Sequence, residues 1–221
     1  MGWEKPRICV SITSGDTAAV EKAAPLADLF EVRIDLIGTR WREVTRGLTK
    51  PWLACNRRAA EGGAWPGDEP GRIEELLSAV GLGAGIVDIE LATPDLEAVI
   101  KRIKGKAQCL LSYHNLIATP SPGTLRDIVN GQLAAGADIC KVVTTARNIA
   151  DNIAVLQLIR EFPDNKIVAF AMGAAGQLSR ALSPMVGGYF TYASIEPGRE
   201  SAAGQLTVDE LNTIYGMLGY D

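Results

Sequence analysis

Eight short runs rich in β-forming residues alternate along this chain with eight longer amphipathic runs, and that order admits few folds. The strand candidates span residues 7–13, 29–36, 52–57, 85–91, 107–114, 137–143, 166–172 and 188–194. The helix-like segments span residues 16–27, 40–47, 72–81, 94–104, 124–135, 149–162, 176–185 and 208–218. Thr93 ahead of Pro94, and Thr207 with Glu210 at capping-box spacing, read as helix starts. Gly105, Gly136 and Gly219 read as stops. Strict alternation implies parallel strands joined by right-handed crossovers, and eight such units close naturally into a (β/α)8 barrel. The chain has 221 residues, against about 250 for a typical barrel of this kind. The expectation is therefore an α/β protein made of a single TIM barrel over residues 1–221, with short loops. An open doubly wound sheet is the alternative. Against it, residues 11–16 after the first strand hold only Gly15, where a dinucleotide fold carries a glycine-rich turn.

Composition removes several classes of function. With 47% hydrophobic residues, 22% charged residues and a net charge of −4, the chain has the make-up of an ordinary globular protein and no basic excess for nucleic acid. No apolar run approaches the ~18 residues of a membrane span. Residues 1–7 lack the apolar centre of a signal peptide, so the expected compartment is the cytoplasm. Cys9, Cys55, Cys109 and Cys140 each fall inside a strand candidate, with no Cys-x-x-Cys pair, and read as small buried hydrophobes in a reducing compartment.

The strands also carry charge where a barrel should be apolar. In the second strand Glu31, Arg33 and Asp35 share one face by the two-residue period, with Val32, Ile34 and Leu36 on the other. Asp88 and Glu90 alternate in the same way with Val87, Ile89 and Leu91 in the fourth. Arg57 and Arg58 end the third strand, His114 ends the fifth, and Lys141 lies in the sixth. A charged strand face cannot point into the helix layer, so these groups converge on the barrel mouth, where such folds place their chemistry. Ion pairs that merely neutralise one another are the bland alternative, but buried pairs of that kind seldom add stability. A lysine drawn out of water is also a candidate nucleophile toward a carbonyl. His114, the one histidine, is suited to moving protons near neutral pH. Glu61 lies on a glycine-rich stretch, Glu61-Gly62-Gly63, just beyond the third strand.

Together these residues resemble the type I 3-dehydroquinate dehydratases of the shikimate pathway. The likeness runs over nearly the whole chain in ordered motifs: Glu31-Val32-Arg33-Ile34-Asp35, then Arg57 with Glu61-Gly62-Gly63, then Val87-Asp88-Ile89-Glu90-Leu91. Ser112-Tyr113-His114, Thr119-Pro120, and Ala137-Asp138 with Lys141 follow. Met172-Gly173, Gly176, Ser179-Arg180, and Ser201 with Gly204-Gln205 complete the series. The resemblance implies a hydro-lyase of aromatic amino acid biosynthesis that takes water from 3-dehydroquinate by syn elimination, with no metal or other cofactor. It implies that Lys141 forms a Schiff base with the ketone, that His114 is proton donor and acceptor, and that Glu61 orients His114. It further implies that Arg180 holds the substrate carboxylate and that Glu31, Arg33, Arg57 and Ser11 grip the ring hydroxyls. Met172 packs on the ring, and Ser201 and Gln205 belong to a lid over residues 195–205. A homodimer is implied as well.

Two positions depart from that pattern. Asn115 stands where the family commonly has aspartate, and Ala203 replaces a proline common before the Gly-Gln pair. The lid is also slightly longer. Two other functions stay open on the residues alone: an imine-forming aldolase acting on a sugar phosphate, and a barrel retained only as a binding subunit.

Overall fold

A computed structural model describes residues 5–220. The strands are β1 (Ile8–Ile12), β2 (Leu29–Arg33), β3 (Trp52–Cys55), β4 (Ile86–Glu90), β5 (Gln108–His114), β6 (Ile139–Thr145), β7 (Ile167–Met172) and β8 (Thr191–Ser194), with a two-residue β9 (Leu206–Thr207). The helices are α1 (Thr17–Ala23), α2 (Ile34–Ile37), α3 (Trp41–Thr45), α4 (Glu69–Gly81), α5 (Leu96–Ile103), α6 (Pro122–Ala134), α7 (Ile149–Glu161), α8 (Gln177–Leu182) and α9 (Val208–Met217). All strand pairs are parallel, in the order β7-β6-β5-β4-β3-β2-β1-β8-β9. Because β8 returns to lie against β1, with Ile8 opposite Thr191, the sheet curls into a barrel. Among the described residues no ladder joins β7 to β8; the Tyr189 N–H donates to the Ile167 carbonyl at 2.7 Å across that seam.

Side-chain alternation sorts the apolar residues into layers. Ile8, Val10, Ile12, Phe30, Val32, Val87 and Ile89 pack outward in one buried cluster with residues of the helices, such as Trp41, Leu76 and Leu211. Cys9, Leu29, Leu53, Ile86, Leu110, Ile139, Val168, Phe170 and Tyr192 fill the interior. The four cysteines are buried and free, in keeping with a role as small hydrophobes.

Several expected boundaries move, for identifiable reasons. The second strand ends at Arg33 rather than continuing to residue 36, because Arg33 makes two hydrogen bonds to the Asp35 carboxylate, at 2.9 and 2.7 Å, across the first turn of α2. Asp35 therefore belongs to a helix, not to the charged face of a strand. β3 stops at Cys55, leaving Arg57 and Arg58 beyond it, whereas β6 runs on to Thr145 by pairing with Met172. The first helix breaks at Ala23, where Pro25 enters a 3-10 turn (Ala24–Leu26). α4 starts three residues earlier than expected, capped by the Asp68 side chain. Thr93 is not a helix cap: α5 begins at Leu96, and the Thr93 hydroxyl accepts from Arg72 instead. The helix expected over 176–185 is reduced to Gln177–Leu182 between two 3-10 turns. Thr207 and Glu210 do form a capping box, and Gly105, Gly136 and Gly219 adopt left-handed φ of 81°, 96° and 84°. Residues 1–4, part of the stretch read for a signal peptide, lie outside the described residues. No described helix is long and apolar enough to cross a membrane.

Candidate active site

At the C-terminal ends of the strands lies a cavity of about 350 Å³, a size suited to a small molecule. Lys141, His114, Glu61, Glu31, Arg33, Arg57, Met172, Arg180, Ser201 and Gln205 all line it. Ser11 stands behind this wall, donating from its hydroxyl to Glu31 Oε2 at 2.7 Å. Tyr192 also lines the cavity, and sequence reasoning missed it. Its position opposite Cys9 gives it inward parity, and that period was the available signal.

Lys141 lies in the middle of β6 and His114 at the end of β5. The register sets Ser112 opposite Lys141 and His114 opposite Val143, so all four point inward. Lys141 is only 4% exposed. Its Nζ donates to Asp88 Oδ2 at 2.8 Å, lies 3.9 Å from Glu31 Oε1, and sits 4.4 Å above the centre of the Tyr192 ring. Glu31, Cys55 and Asp88 bring donor atoms within 4.8 Å of one another, but the Lys141 ammonium already supplies a cation there.

The Asp88 carboxylate is shared. Oδ1 accepts from the Ser112 hydroxyl and Oδ2 from Arg57 Nη2, both at 2.6 Å. Arg57 also donates from Nη1 to Ser112 at 2.6 Å and pairs with Glu90 at 3.1 Å, so its guanidinium is spoken for although it lines the cavity. Glu90 in turn pairs with Arg72, which is fully buried and bonded to Glu69. Burial opposes the Asp88 charge, but Arg57, Lys141 and His114 outweigh it and hold its carboxyl well below the usual range.

Glu61 ends a 3-10 turn (Ala59–Glu61) closed by Gly62 at φ 81°. At Gly63 a Cβ would come within 2.1 Å of the Arg57 carbonyl, so the turn needs glycine to bring Glu61 toward the mouth. Glu61 Oε2 lies 2.8 Å from His114 Nδ1. Burial pushes Glu61 up to about 7, against the pull of Arg57. Burial, with the cations Arg57 and Lys141, pushes His114 well below its ordinary value. That direction favours the uncharged imidazole, and with Nδ1 facing the Glu61 carboxylate the other ring nitrogen is the one that could accept a proton.

Arg180 differs from the other arginines of the cavity. It is 1% exposed, its Nε has no partner, and its one hydrogen bond is a long 3.4 Å contact from Nη2 to the Ala203 carbonyl. Its guanidinium stacks 4.5 Å over Phe170, and burial without a counter-ion pulls its pKa down to about 10. It lies within the six-residue α8. A buried guanidinium without an anion is a place for one.

The segment 195–205 crosses the mouth. The Ser201 N–H and hydroxyl both donate to Gln205 Oε1, at 2.7 and 3.1 Å, and Gln205 Nε2 donates to Ser11 at 3.4 Å. The Gly173 N–H donates to the Ala203 carbonyl at 2.9 Å, so the alanine still serves through its backbone. Arg199, another residue the sequence did not single out, donates from Nη1 to Ser14 at 2.7 Å and lies 3.5 Å from Asp16. Asn115 uses its carbonyl oxygen to accept from the N–H groups of Ile117 and Ala118, at 3.0 Å each, a task an aspartate oxygen would also perform.

The model of the family described as Type I 3-dehydroquinase matches residues 8–221. A 3-dehydroquinate dehydratase of Dehalococcoides mccartyi is 47% identical over 215 residues, covering 97% of this chain and 97% of the relative. One from Methanosarcina acetivorans is 36% identical over 215 residues, covering 90% and 88%. The solved structure of 3-dehydroquinate dehydratase from Geobacillus kaustophilus superimposes with a TM-score of 0.84 at 24% identity, covering 97% of this chain and 91% of that one, a likeness that bears on the barrel fold.

Proposed function

The chain belongs to the type I 3-dehydroquinase family, and from that premise we propose that its cavity dehydrates 3-dehydroquinate through an imine on Lys141. The overall reaction is loss of water from 3-dehydroquinate to give 3-dehydroshikimate, a hydro-lyase step of the shikimate pathway. One observation carries the residue assignment: the cavity holds an inward lysine, an imidazole 2.8 Å from the Glu61 carboxylate and a buried guanidinium without a counter-ion among the described residues. Those are the groups needed to capture a ketone, move a proton and hold a carboxylate.

Lys141 attacks the ketone, and water leaves as the C=N bond forms. An iminium draws electrons from the neighbouring carbon more strongly than a ketone does, so the adjacent C–H becomes acidic. His114 takes that proton and gives one to the departing hydroxyl, which suits elimination on a single face. Glu61 accepts from His114 Nδ1–H, keeping the other ring nitrogen as the base. Arg180 binds the substrate carboxylate. Glu31 and Arg33 contact ring hydroxyls, with Ser11 steadying Glu31 and Arg57 acting from a guanidinium tied to Asp88. Met172 packs against the ring, and Ser201 and Gln205 close the lid and exclude water. The residues require no metal or organic cofactor in this scheme. A homodimer in the cytoplasm completes the reading; buried free thiols support a reducing compartment, and sedimentation would test the dimer.

Sodium borohydride added with 3-dehydroquinate should fix ligand-derived mass on Lys141. An active enzyme that gives no adduct defeats the imine. His114→Ala should still form the adduct while turnover falls about 10²- to 10⁴-fold; near-normal turnover would remove His114 as the base.

A further inference from the structure

None of the steps above uses Asp88, yet its carboxylate touches the nucleophile. Among the described residues Asp88 Oδ2 is the one carboxylate oxygen within 3 Å of Lys141 Nζ, at 2.8 Å, with Glu31 more than an ångström further away at 3.9 Å. The face of the Tyr192 ring lies 4.4 Å from the same nitrogen. Asp88 itself cannot turn aside. Ser112 holds Oδ1 and Arg57 holds Oδ2, and the register places Asp88 beside Leu110 on β5 and Cys55 on β3, so three strands fix its position.

The atom balance of imine formation shows what that contact can do. An ammonium and a ketone give a protonated imine and water: a C–N bond forms, the carbonyl oxygen leaves as water, and no net proton is gained or lost. The positive charge therefore begins and ends on the same nitrogen. In this cavity that charge lies close to Arg57, which bonds the same Asp88 oxygen, and shares the site with Arg33. A buried cation among like charges is costly without an adjacent anion, and an imine that gave up its proton would lose its power as an electron sink. Resting on the Lys141 imine proposed above, we infer that Asp88 is the fixed counter-ion of the covalent nitrogen: one proton leaves the nitrogen for attack and departs on the carbonyl oxygen as water, and Asp88 then faces the protonated imine that remains. Burial disfavours the Asp88 charge, but the cations around it hold the carboxyl well below the usual range, so it pairs with the nitrogen rather than taking its proton. Glu90 keeps a second hold on Arg57, which leaves that guanidinium partnered when Asp88 is altered.

Asp88→Asn preserves shape and removes charge. Turnover should fall about 100-fold, the scale for losing one preorganised electrostatic partner. Borohydride fixation of ligand on Lys141 should slow in parallel, while KM moves by less than about threefold because Arg180 is untouched. Ser112→Ala, which leaves the charge in place, should lose less than about tenfold. A folded Asp88→Asn protein with unchanged turnover and trapping overturns this role and leaves the Lys141 imine standing; absence of adduct in the unaltered protein overturns both. Should Asp88→Asn fail to fold, the borohydride-reduced adduct of the unaltered protein decides. Its crystal structure should keep Asp88 Oδ2 within hydrogen-bond distance of the new secondary amine, and separation beyond that reach overturns the assignment.

Discussion

Glu61 and His114 face each other at 2.8 Å, close enough for their titrations to be coupled. Burial raises the Glu61 carboxyl to about 7, while burial and the neighbouring cations lower His114. The pair titrates as one unit, and its productive form has Glu61 ionised and His114 neutral with Nδ1–H donated to the carboxylate. As pH falls through about 7 the pair gains a proton and the base is lost, so kcat/KM should drop about tenfold per pH unit below that point and level off above it. In Glu61→Gln the residue at 61 no longer titrates. Its limb should move to well below 6.5, where His114 itself protonates, with a lower plateau. Identical midpoints in kcat/KM profiles of the two proteins would detach Glu61 from the base. At this scale, the inward parity of Lys141 and His114 follows from a local two-residue period, so both could be read from sequence. Glu61 could not: it is 53 residues from His114 along the chain, and its role entered through family resemblance.

Among the elements, the lid is held by side chains that periodicity does not register. The family resemblance marks residues 195–205 as a lid, and Arg199 ties them down, bonded to Ser14 and close to Asp16 in the loop after β1. Gly204 fixes the other end: at φ 75° a Cβ there would meet the Gly173 carbonyl at 2.2 Å. Exposed pairs such as Arg199–Asp16 contribute only about 0.2–1 kcal/mol. Arg199→Ala should therefore raise KM by no more than about fivefold and leave kcat within about twofold, as steady-state kinetics would show. An unchanged KM would mean that the contact does not hold the lid down. Strand and helix ends were less legible than strand centres. Arg33 ends β2 through its pair with Asp35, and Asp68 starts α4; both depend on side-chain contacts that periodicity does not register.

Across the whole molecule, a bound substrate would join parts that the protein links weakly. Its carboxylate would lie at Arg180, beside the seam between β7 and β8, with its ketone at β6 and the lid above. Binding at a hundredfold excess over Kd adds about 2.7 kcal/mol, which for a chain of this size raises Tm by about 5–10 °C. Thermal melts with 3-dehydroshikimate should show that rise in the unaltered protein and lose most of it in Arg180→Ala; an equal rise in both would place the carboxylate elsewhere. By itself, the sequence determined the eight barrel strands, their order and the inward side of Glu31, Arg33, Asp88 and Lys141, because those follow from short-range periodicity and chain length; the two-residue β9 and the helical place of Asp35 lay outside that reading. Only the tertiary structure decided which charges meet. Arg57 pairs with Asp88 at a separation of 31 residues, Lys141 reaches the same carboxylate across 53, and Arg180 is left without a counter-ion among the described residues. Pairing energy depends on distance and burial in space, and neither is encoded in spacing along the chain.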